Sequence, residues 1–366
     1  MTLPHRPASG HRLARMQASP QFRDGTFVNT YASTTPIPPT GLSMATVAEL
    51  LLPGEGRRPA RPLPTIDPRA TWAAAPETGL RATWLGHSTV LLEMDGVRVL
   101  TDPVWAARAS PFSFVGPKRF QPMPVDIAAL PPVDVVILSH DHYDHLDHAS
   151  VLALAARGTR FVTSLGVGLH LEAWGVAPER ITELDWWEET DVIAGLRITA
   201  APAHHFSGRG LGDGNSTLWS SFALRSERHS VFFSGDSGLS DAFGDIGLRL
   251  GPFDLVMIEV GAFHPSWAAV HLGPDNAVAA WRAIGSGRLL PIHWGTFDLA
   301  THAWYEPAET LLAKAPPGQL LLPCPGRPIE PSRDLGAAPW WRGLGGDRAA
   351  IVGEASTKSP LRSSSD

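Results

Sequence analysis

Ser139-His140-Asp141-His142-Tyr143-Asp144-His145 follows directly on the apolar run 133–138. A run of that length and character reads as a buried strand. Positions i and i+2 leaving a strand lie on the same side, so His140 and His142 reach one metal ion together. Asp144 and His145 lie one step further, where the chain turns into a helix expected at 148–157, and they face a second ion. Two divalent ions about 3.5–4 Å apart share a bridging hydroxide and stabilise both the attacking and the leaving oxygen. Three His and two Asp within six positions, behind a buried strand, do not read as an ordinary polar loop, whose protonated imidazoles would repel one another.

A two-metal site needs further ligands, and they are expected after downstream strands. His204-His205 follows the strand expected at 196–201, Asp236 in Ser234-Gly235-Asp236-Ser237-Gly238 follows 230–234, and His293 opens His293-Trp294-Gly295-Thr296-Phe297 after 289–293 begins. Taken singly, Asp-Ser-Gly is turn chemistry and His293 a satisfied core histidine. Their shared placement at strand ends sets them apart.

Composition narrows the chemistry. The chain has 366 residues with 15 His and a single Cys, Cys324. One cysteine makes no intrachain disulfide and no cysteine-based zinc finger, so imidazole and carboxylate must hold any metal. A net charge of −6 and a pI of about 6.2 are not the profile of a nucleic-acid binder. The first 79 residues carry eight Arg against five Asp and Glu, while the remainder carries −9. That balance suits a solvated arm, or weak attraction to an anionic lipid surface. No apolar run approaches the roughly 18 residues of a membrane span, and residues 1–15 have no apolar stretch of a secretory signal. The expected location is the cytoplasm, with peripheral contact at the inner face of the membrane.

The expected organisation is a flexible arm over 1–21, one domain over 22–335 with an N-terminal extension at 22–80, and a disordered tail over 336–366. Within the extension a short helix is expected at 43–52. Regular structure begins at Arg81. Strands are expected at 82–85, 89–94 and 97–101, with Asp95-Gly96 as the hairpin turn between the last two. Further strands are expected at 161–164, 181–186, 218–225, 253–260 and 320–323, and helices at 168–174, 274–284 and 307–314. Strand pairs come first in each half and helices follow. This order predicts an α/β fold, a four-layer αββα sandwich.

Several motifs resemble the N-acylphosphatidylethanolamine-hydrolysing phospholipase D family of the metallo-β-lactamase fold. Beside the H-x-H-x-D-H segment they are Thr83-Trp84-Leu85-Gly86-His87-Ser88-Thr89, Leu100-Thr101-Asp102-Pro103, Arg108-Ala109-Ser110-Pro111, Gly116-Pro117-Lys118-Arg119-Phe120, Glu183-Leu184-Asp185-Trp186-Trp187-Glu188 and His293-Trp294-Gly295-Thr296-Phe297. Phe27-Val28-Asn29 resembles the family's entry segment. The resemblance implies that His140, His142 and His205 hold one zinc ion, that Asp144, His145 and His293 hold the second, and that Asp236 bridges them. Where the family has one ligand, this chain has the pair His204-His205. Imidazole and carboxylate also accept iron or manganese. His271 matches a family histidine near the site and is expected to donate a proton or contact phosphate. His87 and Asp102 are expected to orient ligands, and Tyr143 to meet a substrate oxygen.

The implied activity is hydrolysis of a phosphodiester by a metal-bridging hydroxide, of the phospholipase D type, on N-acylphosphatidylethanolamine or a related lipid. Asp144 is expected to serve catalysis as well as binding, and the resemblance also implies a homodimer. The same site acting on a carbonyl would make a lactonase or a β-lactam hydrolase, with a small-molecule ester as substrate. A non-catalytic metal-binding scaffold is a third reading, which the full ligand set argues against.

Overall fold

The computed structural model describes residues 8–35, 49, 54–210, 212–334, 336 and 338–344. The segment expected to be a loose arm instead carries a helix, Gly10–Ala18, followed by a small hairpin of β1 (Phe22–Arg23) and β2 (Thr26–Phe27). The reason is long-range. Arg12 donates to Glu172 at 2.6 Å and to Glu183 at 2.7 Å, and Met16 is buried beneath the helix. The helix expected at 43–52 falls outside the described residues, Glu49 apart.

From Leu80 onward the chain builds two sheets. The first contains β3 (Leu80–Gly86), β4 (Thr89–Met94), β5 (Val97–Thr101), β6 (Val135–Leu138), β7 (Arg160–Ser164) and β8 (Ile181–Leu184). The second contains β9 (Glu189–Ile193), β10 (Leu196–Ala201), β11 (Ser221–Arg225), β12 (Ser230–Phe233), β13 (Leu255–Glu259) and β14 (Arg288–Ile292). The chain then returns to the first sheet with β15 (Pro328–Ile329), whose order is β15-β3-β4-β5-β6-β7-β8. The second sheet has the order β14-β13-β12-β11-β10-β9. At the Asp95-Gly96 turn both residues take positive φ, 47° and 93°, as a two-residue hairpin joining twisted strands requires.

The side-chain period of a strand explains the layers. Leu80, Ala82 and Trp84 of β3, Val90 and Leu92 of β4, and Val135 and Ile137 of β6 join a central core shared with the second sheet. Leu85, Leu91, Val136 and Leu138 point the other way, into a separate core under helices His148–Ala155 and Gly168–Ala173. Helices Ala242–Leu250, Gly273–Ile284 and Glu306–Lys314 bury their apolar faces against the second sheet. The four layers are therefore helix, sheet, sheet, helix.

Two expectations about the C-terminal part need correction. Residues 320–323 do not form a strand; Leu320 makes only an isolated bridge to Leu289, and Pro323 has no N–H to extend it. The tail expected to be disordered from 336 has an ordered start. Trp341 is buried against Trp294, with ring centroids 5.8 Å apart, and donates its indole N–H to Glu309 at 2.8 Å. The rest of that tail, 345–366, lies outside the described residues.

Strand direction decides where chemistry can gather. β5, β6 and β7 pair in parallel, as do β12, β13 and β14. Their carboxyl ends therefore open on the same edge, where open α/β sheets place ligands. Asp102, Ser139-His140, Asp236, Glu259 and His293 all lie at or just beyond these ends.

Candidate metal centre

Two groups of side chains meet at this edge. In the first, His140 Nε2 lies 2.9 Å from His142 Nδ1, and His205 Nε2 lies 3.3 Å from the same atom. Both Nε2 atoms carry lone pairs, because each ring donates its Nδ1–H elsewhere. His205 donates to the Val270 carbonyl at 2.9 Å. His140 donates to Ser139 Oγ at 2.9 Å, whose hydroxyl in turn donates to Asp102 at 2.6 Å. Burial holds His140 and His205 well below the usual imidazole range and lowers His142 as well. Neutral rings with converging lone pairs are what a metal ion requires.

The second group is His87, Asp144, His145 and His293. His145 Nε2 and His293 Nε2 lie 3.5 and 3.4 Å from Asp144 Oδ2. His145 is oriented from behind, donating Nδ1–H to Asp102 Oδ2 at 2.6 Å. His87 donates Nε2–H to Asp144 at 3.1 Å, and burial lowers its pKa to about 3, so it stays neutral.

Asp236 sits between the groups. Its Oδ2 is 4.0 Å from His140 and 3.8 Å from His205 on one side, and 3.1 Å from both His145 and His293 on the other. Burial opposes the charged forms of His145 and His293. The carboxylates, Asp236 foremost, overcome it, raising His145 well above its ordinary value and His293 to about 10. The same contacts, His145 foremost, hold Asp144 and Asp236 well below the carboxylate range despite their burial. His145 Nε2, both nitrogens of His293 and Asp236 Oδ1 are buried without a hydrogen-bond partner. Buried polar groups are normally satisfied. Orphaned donor atoms aimed at one point, with carboxylates between them, fit divalent cations.

The backbone around this site is strained. His87, Asp102 and His293 take positive φ of 50°, 32° and 64°, a region costly for side-chain-bearing residues and found where function fixes the geometry. Gly261 allows the His293 segment to pass close by: a Cβ there would stand 1.9 Å from the His293 carbonyl oxygen. Gly261→Ala should therefore displace the His293 backbone, cost about 1–3 kcal/mol, and lower the metal content. Thermal denaturation and elemental analysis of the purified variant check this.

Some expected residues arrive elsewhere. His204 donates Nδ1–H to the Tyr31 carbonyl at 2.9 Å and belongs to none of the candidate metal groups, whereas His205 does. Tyr143 donates its hydroxyl to the Arg209 carbonyl at 3.0 Å, with the Arg209 guanidinium 3.9 Å above its ring. Its oxygen is thus engaged by backbone. His271 Nδ1 lies 4.0 Å from Asp236 Oδ2, and the His271 side chain is 13% exposed.

Two residues had no site role in the sequence reading. Asn29 accepts from the His205 backbone N–H at 3.2 Å and donates to its carbonyl at 2.9 Å, so the entry segment grips a histidine of the first group. Glu259 is fully buried, and burial pushes its carboxyl up. The available signal was an acid inside the apolar run at 253–260.

Residues 97–294 match the family model described as the beta-lactamase superfamily domain. An uncharacterised protein of Mycobacterium tuberculosis is 46% identical over 333 residues, covering 89% of this chain and 88% of that one. The N-acyl-phosphatidylethanolamine-hydrolyzing phospholipase D 1 of Caenorhabditis elegans is 40% identical over 247 residues, covering 64% of this chain and 69% of the relative. Among solved structures, the metallo hydrolase Igni18 of Ignicoccus hospitalis shares the fold with a TM-score of 0.53 at 21% identity, covering 68% of this chain and 97% of that one. With the matched domain, the fold and the converging imidazoles and carboxylates in agreement, the chain belongs to the beta-lactamase superfamily and is a metal-dependent hydrolase.

Proposed function

We propose that the protein is a two-zinc phosphodiesterase of the phospholipase D type, acting on N-acylphosphatidylethanolamine or a related lipid. The observation that carries the proposal is Asp236 Oδ2, flanked by two imidazole groups at 3.1–4.0 Å. In this reading His140, His142 and His205 hold one ion, Asp144, His145 and His293 hold the other, and Asp236 serves both. When bound, such a pair activates water at neutral pH and neutralises charge on an anionic diester. Asp102 and Ser139 fix the tautomers of His145 and His140. His87 orients Asp144. His271, at the open side, faces the leaving oxygen and supplies its proton. The relative with a stated phospholipase activity, at 40% identity, supports the choice of a lipid diester.

The test is elemental analysis of the purified protein with a substrate panel. About two zinc ions per chain, with turnover of bis-p-nitrophenyl phosphate and of N-acylphosphatidylethanolamine in micelles, is the expected result. Turnover of lactones or β-lactams with silence on diesters would replace it with carbonyl chemistry.

A lipid substrate also calls for contact with a lipid surface. The loop before Arg119 exposes Phe112, Phe114 and Val115 at 50, 78 and 50%. Basic Arg108 and Lys118 bridge its base, and Arg119 pairs with Phe297, whose ring lies 5.2 Å from His87. Exposed apolar side chains beside cations suit a peripheral contact. Phe114→Asp is expected to reduce co-sedimentation with anionic phospholipid vesicles while leaving bis-p-nitrophenyl phosphate turnover unchanged.

A further inference from the structure

Glu259 ends β13 with a carboxylate that has no apparent task in holding the sheet. It is completely buried, and its Oε2 has no hydrogen-bond partner. Its Oε1 accepts the backbone N–H of Leu272 at 2.6 Å. The same oxygen lies 3.4 Å from Nδ1 of His271, the residue immediately before. One carboxylate thus holds both the backbone and the ring of a short stretch between β13 and helix Gly273–Ile284. His271 Nδ1 is sealed in the interior with no closer partner, so the exposed share of the side chain, 13%, belongs to its other atoms. That ring stands 5.1 Å from His205 and 5.4 Å from His293, centroid to centroid, bordering both metal-facing groups. Glu259, His271 and His293 also form one cluster of close donor atoms.

We infer that Glu259 is a positioning residue: its contact at Nδ1 fixes one N–H of His271 there and orients the ring, so that Nε2 is the nitrogen turned to the leaving group. A carboxylate behind an imidazole fixes its tautomer and orientation, and losing it costs turnover without removing the imidazole. The inference rests on the diesterase reading above, in which the P–O bond to the leaving group breaks and the departing alkoxide takes the Nε2 proton of a doubly protonated His271 ring; the ring is left neutral with its remaining proton on Nδ1, and Nε2 is reprotonated from water. Glu259 itself gains and loses nothing in the cycle.

The test is Glu259→Gln, which retains an acceptor for Leu272 N–H and the side-chain volume. Leaving-group acidity separates positioning from structure. An alkyl leaving group needs the proton and p-nitrophenolate does not. The expected result is a kcat lowered roughly 10- to 100-fold on a dialkyl phosphodiester, little change on bis-p-nitrophenyl phosphate, and unchanged KM and metal content. In a His271→Asn background the same substitution should add nothing. On metal-free protein, nitrogen-15 spectra of the histidine side chains should show one fixed tautomer for His271 in the parent and a mixture in Glu259→Gln. Equal loss on both diesters, or loss of bound metal, would overturn the inference in favour of a structural role. So would an unchanged alkyl rate or an unchanged His271 spectrum. If the parent enzyme, fully metallated, turned over no diester at all, the diesterase reading would fail instead, and the His271 spectra would still decide whether Glu259 sets the ring.

Discussion

Asp236→Asn is expected to lower phosphodiester turnover by about 10³-fold, equivalent to about 4 kcal/mol of barrier. The substitution preserves volume and shape, so packing at this buried position changes little. Charge changes entirely. Asp236 Oδ2 lies within 4.0 Å of Nε2 of His140, His145, His205 and His293. In the proposed two-metal site a carboxylate there would serve both groups, and its one charge would offset part of each cation. A carboxamide is neutral, and one of its two ends is a donor that faces nitrogens needed as acceptors. Metal content should fall below two per chain, and added zinc should restore occupancy only in part. Hydrolysis of bis-p-nitrophenyl phosphate and elemental analysis on the same preparation read both effects. A variant with parental turnover and two ions per chain would end the bridging assignment.

The second large effect is expected at Asp102, which touches no proposed substrate. Its carboxylate accepts the Ser139 backbone N–H at 2.8 Å, the Ser139 hydroxyl at 2.6 Å and His145 Nδ1–H at 2.6 Å, all fully buried. Asp102→Ala leaves these donors without an acceptor in the interior. Breaking such a buried pair costs about 3–5 kcal/mol, to be read as a lower urea midpoint of the metal-free protein. The freed His145 and Ser139 also release the orientation of one ring in each group. Loss of an outer partner of this kind weakens metal binding by about 10- to 100-fold, to be read by competition with a chromophoric chelator. Parental stability together with parental zinc affinity would show that His145 takes its orientation from elsewhere.

Much of the fold was legible because its signals are local. The hairpin at Asp95-Gly96 follows from two residues that tolerate positive φ. The alternation of Val135 and Ile137 with Val136 and Leu138 marks a strand buried on both faces. The site was legible because its residues sit just beyond strands with strong apolar character. What stayed hidden depends on partners far away in sequence. Helix Gly10–Ala18 has no side-chain cap and a polar composition, and its stability comes from Glu172 and Glu183. β9 reads Glu-Thr-Asp-Val-Ile, an edge strand that is half exposed and shows no clean alternation. Glu259 lies within the strand expected at 253–260, and only the return of the chain at His271 gives it a task. Asn29 sits 176 residues from the histidine it holds.

The hold of Asn29 on His205 bears on how the protein should be handled at the bench. The segment matched by the family model, 97–294, contains every proposed ligand. Cutting the chain at those bounds would nevertheless discard the clamp on His205, strands β3 and β4 with Trp84, and Trp341, which covers Trp294 from the other side. An expression fragment designed on the matched segment would carry every proposed ligand and lack His87 and the parts that aim them. Any catalytic unit made from this chain should therefore begin before the Gly10–Ala18 helix and run past Trp341.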